Sequence, residues 1–514
     1  MIQLIMNDDT IDNNYNNNTK SSNVHRALIF QGGGSLGAYE AGVYKAMIEE
    51  LSVFLEKQQD REKKQEEEPV LFHIISGTSV GAINAAILVS YVKENRTWEG
   101  SDQRLIDFWK YLSTNSSVED MNPYFEYYWD FWHGLDNRVA SGESARRYYS
   151  TKEFILKGVP NVFKPKIPKS DNRFFDLSNM WYVYDNEPLR QSLEKFAKFP
   201  ISTNFENNEP RLLLVAVDIQ EGIPIVFDSY EKEDGTRKSG YGKYYGLGSD
   251  EQPRNQNSTT GEFEHAIRYD DGIKSDFVMA SSSLPVNYEY AKLIVEDYKP
   301  VPRDSSFENK ENIVEPDKYS LSALSNNIHF FWDGGLLANT PLMQTVMAHR
   351  DYWHKVRKME YNLPSLSIGI IDLHSRKQEY VPYDYDGVVD RKNDIIYHDR
   401  TEIDEYMATL ISDFQKLSTS LIKLSKDNGV SEKSLQAILQ EKIKAVNPIR
   451  RQHLRYNDLL KARVDINSVM RLERKNDSNT ISNKIFDFSE TTIIQLLYDG
   501  YKETKPQIKR ILGE

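Results

Sequence analysis

The 514-residue chain contains no cysteine. That excludes disulfides, thiolate nucleophiles and cysteine-based metal centres. It also fits a reducing compartment, so the cytoplasm is the expected location. Positive charge is short as well: 64 Lys and Arg against 77 Asp and Glu leave a formal net charge of -13, which points away from nucleic acid as the main partner. No apolar run approaches the ~18 residues that a bilayer-spanning helix needs, so any membrane contact is expected to be peripheral. The N-terminus lacks a basic segment followed by an apolar core. Residues 1–24, rich in Asn and Asp, read as a disordered tail rather than a signal peptide. The chain as a whole is 39% hydrophobic and 27% charged. That suffices to bury a substantial core, in roughly two to four average domains or one large α/β domain with additions.

Against these absences one stretch stands out. An apolar run, Leu71 to Ile75, ends in Gly77-Thr78-Ser79-Val80-Gly81, and the small-residue run Ala82-Ile83-Asn84-Ala85-Ala86 follows. Gly-x-Ser-x-Gly between a strand and a helix is the pattern of a nucleophile elbow. The glycines at 77 and 81 let neighbouring chain pass close to a strained serine, whose hydroxyl is pushed out at the strand's C-terminal end.

Upstream, the short strand Arg26 to Phe30 runs into Gln31-Gly32-Gly33-Gly34-Ser35-Leu36-Gly37. Val43, Met47, Leu51 and Leu55 then recur every fourth residue, which predicts an amphipathic helix. A glycine loop at a helix N-terminus offers free backbone N–H groups to an anion. Gly32-x-Gly34-x-x-Gly37 formally matches a dinucleotide-binding fingerprint, but that fingerprint wants a second strand ending in an acid about 20 residues on. Glu49 and Glu50 lie inside the helical pattern instead. The competing reading is an oxyanion hole serving Ser79.

Farther along, Trp98 to Trp132 is dense in aromatics. Two readings fit: packing of an inserted cap, or an apolar wall for an acyl chain or a lipid surface. Arg211 to Asp218 reads as a buried strand with a hairpin partner at Ile223 to Phe227. Phe277 to Leu284 reads as a helical segment stopped by Pro285. Ile328 to Asp333 is a strand ending in an acid and two glycines, Gly334 and Gly335, a place where an α/β enzyme can hold a catalytic base. Ser365 to Ile371 is a further strand. Met407, Leu410, Ile411, Phe414, Leu417, Leu421 and Leu424 recur at threes and fours, predicting a helix packed on or beside the rest. Further helices are expected over 434–446 and 491–501.

Acyl transfer needs a nucleophile, a proton acceptor and an anion stabiliser. Ser79 supplies the first, and the Gly32–Gly34 loop offers the last. The acceptor is either a carboxylate or a histidine. The order Ser79, Asp333, His374 matches an α/β-hydrolase triad, although in those enzymes the oxyanion loop follows a later strand.

Taken together, these blocks resemble the patatin-like phospholipases. Gly32 to Gly37 resembles that family's oxyanion block, Gly77 to Gly81 its elbow, and Asp333-Gly334-Gly335 its catalytic Asp-Gly-Gly or Asp-Gly-Ala block, followed by Asn339-Thr340-Pro341-Leu342. Pro188-Leu189-Arg190 and Ala280 to Pro285 are similar too. The resemblance spans roughly residues 25 to 375. It implies a three-layer α/β/α fold with a central, mostly parallel sheet, and a Ser79–Asp333 dyad without histidine. It also implies an oxyanion hole drawn from Gly32, Gly33, Gly34 and Ser35, with Gly37, Gly77, Gly81, Gly334 and Gly335 in support. Neither metal nor cofactor is implied, and the substrate would be phospholipid or another lipid ester. Many members carry Arg or Lys where this chain has Leu36. The domain reading is a catalytic domain over 25–385, with insertions near 98–175, 230–272 and 300–320, followed by a mainly helical region over 386–514. The alternatives are the triad esterase and a non-catalytic lipid-binding protein on the same fold.

Overall fold

The computed structural model describes residues 24–62, 70–121, 124–134, 140–166, 181–239, 243–245, 262–294, 296–298, 328–361, 363–378, 381–446, 453–475 and 479–512. Residues 1–23 of the expected tail, the 300–320 insertion and much of the 230–272 excursion lie outside the described residues. Val24 already belongs to the first strand.

Among the described residues, eight strands form the central sheet: β1 (Val24–Phe30), β2 (Ile74–Thr78), β3 (Arg211–Asp218), β4 (Ile223–Asp228), β5 (Ala291–Ile294), β6 (Ile328–Asp333), β7 (Ser365–Asp372) and β8 (Ile466–Glu473). Their order is β8-β7-β1-β2-β3-β6-β5, with β4 also paired to β3. The four pairings from β8 to β3 are parallel, and those made by β4, β5 and β6 are antiparallel. The sheet is thus mostly parallel, with an antiparallel end.

Parallel strands covered on both faces read as unbroken apolar runs, and this is how β2, β3 and β7 read: every residue in them is buried. Leu28, Phe30, Ile75, Leu212 and Leu214 pack on one side of the sheet. There they meet helices α1 (Gly37–Glu62), α2 (Val80–Asn95) and α3 (Ser101–Leu112). Ala27, Ile29, Ile74, Leu213 and Ile368 point the other way, onto Leu342 and Val346 of helix α4 (Leu342–Asp351). Alternation with period two thus builds a three-layer α/β/α fold.

The described residues of 386–514 are helical in large part, yet they also finish this core. Strand β8 extends the sheet alongside β7. The C-terminal helix Glu490–Leu512 lies so close to α1 that side chains have no room at the crossing. A Cβ on Gly42 would come within 2.1 Å of the Leu497 carbonyl oxygen, and one on Gly500 within 2.2 Å of that of Tyr39. The helix expected over 434–446 is shorter, Glu432–Leu439, and is followed by a strand, Lys442–Val446, paired with His453–Arg455. The helix Glu402–Asp427 departs from expectation in orientation: its apolar stripe faces solvent instead of packing on the domain.

Candidate active site

Strand β2 ends at Thr78, and Ser79 takes φ 55° and ψ -125° before α2 begins at Val80. A positive φ on a serine costs on the order of 1–3 kcal/mol and persists only where the surroundings impose it. Here the Ser79 N–H donates to Ser281 Oγ at 2.9 Å, and that hydroxyl donates to the Val215 carbonyl at 2.6 Å. The flanking glycines serve close approach. A Cβ on Gly77 would lie 2.2 Å from the Gly81 carbonyl oxygen, and one on Gly81 2.5 Å from that of Phe30.

Sheet register brings Asp333 to this serine. Strand β4 pairs along β3 from Leu213 to Asp218 and fills that edge. Strands β2 and β6 must therefore share the opposite edge, end to end. Thr78 pairs with Val215, and Asp333 with the next residue, Ala216. The parallel strand arrives from one direction and the antiparallel strand from the other, so the two C-terminal ends meet on consecutive rungs. The Ser79 hydroxyl donates to Asp333 Oδ2 at 2.5 Å, and Asp333 Oδ1 accepts from the Gly335 N–H at 2.7 Å. The Asp333 N–H donates to the Ser283 carbonyl at 2.9 Å, so the Ala280–Pro285 block braces both members of the pair. Burial pushes the Asp333 carboxyl up to about 6, against the two hydrogen bonds, from Ser79 and Gly335, that lower it.

The glycine block divides in its roles. The Gly32 N–H donates to Asn339 Oδ1 at 3.1 Å, while Asn339 Nδ2 donates to the Gly32 carbonyl at 3.3 Å and to that of Tyr397 at 2.7 Å. The Gly32 N–H expected at an oxyanion is therefore already engaged. Ser35 is fully buried, and its hydroxyl donates to the Lys484 carbonyl at 2.7 Å. Gly33 and Gly34 line the same pocket as Ser79. Gly34 has φ +58°, and a Cβ there would stand 2.3 Å from the Ile485 carbonyl oxygen. Beneath the loop, Glu40 accepts from the Gln31 N–H at 2.7 Å and from Asn84 Nδ2 at 2.8 Å. Burial holds its carboxyl well above the usual range, despite the hydrogen bonds from Asn84 and Gln31.

His374 also lines the pocket, but its ring is committed elsewhere. Nε2 lies 3.2 Å from the Gly32 carbonyl and Nδ1 3.1 Å from Asp394 Oδ1. Burial lowers its pKa, opposed by the hydrogen bond to Asp394. Asp394 and Asp390 in turn hold the buried Lys484 amine, at 2.6 and 3.0 Å. Glu49 and Glu50, which a dinucleotide fingerprint would want at the end of a second strand, sit inside α1 and pair with Lys505 of the C-terminal helix.

The rest of the pocket is apolar: Ile83, Phe108, Trp109, Leu112, Val162, Leu189, Leu284, Tyr288, Phe486 and Phe488. The aromatic stretch thus splits. Phe108 and Trp109 on α3 wall the pocket, whereas Tyr127, Tyr128, Phe131 and Trp132, on the helix Phe125–His133, are exposed. Sequence reasoning missed the wall contributed by 485–488, because it comes from chain more than 400 residues beyond the elbow. It quoted Asn339 and Ser281 within larger blocks but assigned them no role. Both are short polar residues a few positions before a proline, Pro341 and Pro285, and that is the only signal they carry.

A serine hydroxyl on a strained elbow, held by a buried carboxyl and set beside backbone glycines, is equipped for acyl transfer. The family model described as patatin-like phospholipase matches residues 28–346, and the chain belongs to that family. Among solved structures, the crystal structure of VipD from Legionella pneumophila aligns with 11% identity and a TM-score of 0.25, covering 95% of this chain and 67% of that one. No curated protein matches the chain.

Proposed function

We propose that this chain is a serine lipid acyl hydrolase of the phospholipase A or lysophospholipase kind, working through a Ser79–Asp333 dyad. Family membership supports lipid acyl hydrolysis in general. The observation that carries the finer reading is the 2.5 Å hydrogen bond from Ser79 to a buried Asp333 at the head of an apolar pocket. The acyl chain would lie along Phe108, Trp109, Leu189 and Phe488. No lysine or arginine lines the pocket among the described residues, so a charged head group would stay at the mouth.

In the reaction, Asp333 takes the proton from Ser79 as Oγ attacks the ester carbonyl, and the N–H groups of Gly33 and Gly34 stabilise the oxyanion. Asp333 returns the proton to the leaving alcohol, which departs and leaves an acyl-serine. Water then attacks that ester, again losing its proton to Asp333, and the fatty acid leaves as Ser79 regains its hydrogen. A carboxyl titrating near 6 suits both halves of this cycle: it is ionised at neutral pH, yet more basic than an exposed aspartate.

The test is a panel of variants assayed on a p-nitrophenyl ester and with a fluorophosphonate probe. Ser79→Ala and Asp333→Asn each abolish hydrolysis, and Ser79→Ala also abolishes labelling. His374→Ala loses no more than the roughly 10- to 100-fold expected from a shifted glycine loop, and its activity is not abolished, because the ring touches the Gly32 carbonyl and not the serine. If losing His374 proves as damaging as losing Asp333, the triad esterase is the better reading. Vesicle binding without any labelling of Ser79 would favour a non-catalytic lipid binder.

A further inference from the structure

Helix Glu402–Asp427 is mounted with its polar side inward. Ser412 and Gln415 are only 4% and 8% exposed. The Ser412 hydroxyl donates to Asp465, the Gln415 amide to the Leu459 carbonyl, and Glu405 pairs with Arg471 of β8. Its apolar side faces water. Ile403, Met407, Leu410, Phe414, Leu417, Leu421 and Leu424 are all 45–73% exposed. A helix that merely covered a core would show the reverse.

The intervals between these seven residues alternate four and three throughout. That is a heptad, the spacing of a coiled-coil seam, with Met407, Phe414 and Leu421 at the a positions and Ile403, Leu410, Leu417 and Leu424 at d, while the exposed Tyr406 and Ile411 lie beside it at g and e. A helix lying on a lipid surface is expected to carry Lys and Arg beside its apolar face. The charged residues flanking this seam are instead Asp404, Asp413 and Asp427, with no cation among the flanking positions.

The seam is complementary to itself. Side by side in parallel, each layer meets its own kind. The flanking positions then put Tyr406 against Ile411, Asp413 against Ser418 and Ser420 against Ser425 of the second copy, so no acid faces an acid. Run antiparallel, Met407 meets Leu424, Leu410 meets Leu421 and Phe414 meets Leu417. Two such helices are the smallest assembly that buries the a and d residues of the seam. We propose that this helix is a homodimer interface, in which two copies of the chain join through a two-stranded coiled coil over residues 403–424.

Sedimentation of the full chain across the micromolar range tests this. The wild type is expected at twice 59.7 kDa. Leu410→Glu with Leu417→Glu is expected at half that mass, with an unchanged rate on a soluble short-chain ester, which shows that it folds. Because the chain has no cysteine, Phe414→Cys with Leu417→Cys should cross-link quantitatively on oxidation in either orientation. A wild type that sediments as a monomer throughout, or a glutamate variant that stays dimeric, overturns the proposal. So does a monomeric wild type that floats with phosphatidylcholine vesicles while the glutamate variant does not, an outcome that would make the seam a lipid-binding face.

Discussion

Replacing Asp333 by Asn should destroy activity and stabilise the fold, and the structure sets the size of the effect. An aspartate titrates near 3.8 when unperturbed, whereas burial pushes this one up to about 6. About two units at ~1.4 kcal/mol each means the fold disfavours the ionised carboxyl by roughly 3 kcal/mol. The sign follows from linkage. A group whose folded pKa is raised favours folding below its unfolded pKa, and that benefit is lost as pH climbs through the folded value. Asn keeps the shape without the charge. The variant should therefore match the wild type near pH 4, gain on it between pH 4 and 6, and remain about 3 kcal/mol more stable above pH 7. At ~2.1 cal/mol/K per residue over a cooperative unit the size of the 514-residue chain, that is a rise in Tm of about 3 °C. The assay is thermal and urea unfolding of both proteins at pH 4.5, 6 and 8. A gap independent of pH, or a variant less stable at pH 8, would refute the reasoning. The same titration should govern catalysis, with kcat/KM of the wild type falling about tenfold per unit below pH 6 as the base is protonated.

Two further outcomes follow from buried polar contacts, one at the site and one at the far end of the sheet. Asn339→Ala removes the amide that grips both the N–H and the carbonyl of Gly32. A glycine loop displaced by an ångström should lower kcat by about 10- to 100-fold, with KM little changed, in steady-state kinetics on the soluble ester. Arg211→Ala breaks the buried Arg211–Asp228 pair in the floor of the sheet. Burial would raise the Asp228 carboxyl, but Arg211 and Lys232 hold it below the usual range. Losing the arginine should cost about 3 kcal/mol in urea unfolding, softened by Lys232, while the kcat of the folded fraction is unchanged.

Much of the site could be read before any folding. Ser79 and Asp333 were identifiable because each sits in a glycine setting that ordinary turns rarely need, and both settings prove to be steric. Gly77, Gly81 and Gly334 each have a carbonyl oxygen within 2.5 Å of where a Cβ would go. The glycine loop was identifiable too, but not its division of labour. Which N–H groups remain available depends on Asn339, more than 300 residues downstream. His374 followed a strand in the right order for a triad, and order says nothing of where a ring points.

The sequence by itself determined which residues could do chemistry, since backbone crowding and apolar periodicity are local and leave their mark on neighbouring residues. Tertiary structure alone decided which of them meet. That an antiparallel strand would deliver Asp333 to the rung beside Thr78 depends on β4 filling the other edge of β3. That residues 485–488 would close the pocket depends on contacts across nearly the whole chain. The seam on Glu402–Asp427 divides in the same way. Its heptad spacing is local and legible, but whether it faces the core or the solvent was settled by polar partners on Leu459, Asp465 and Arg471.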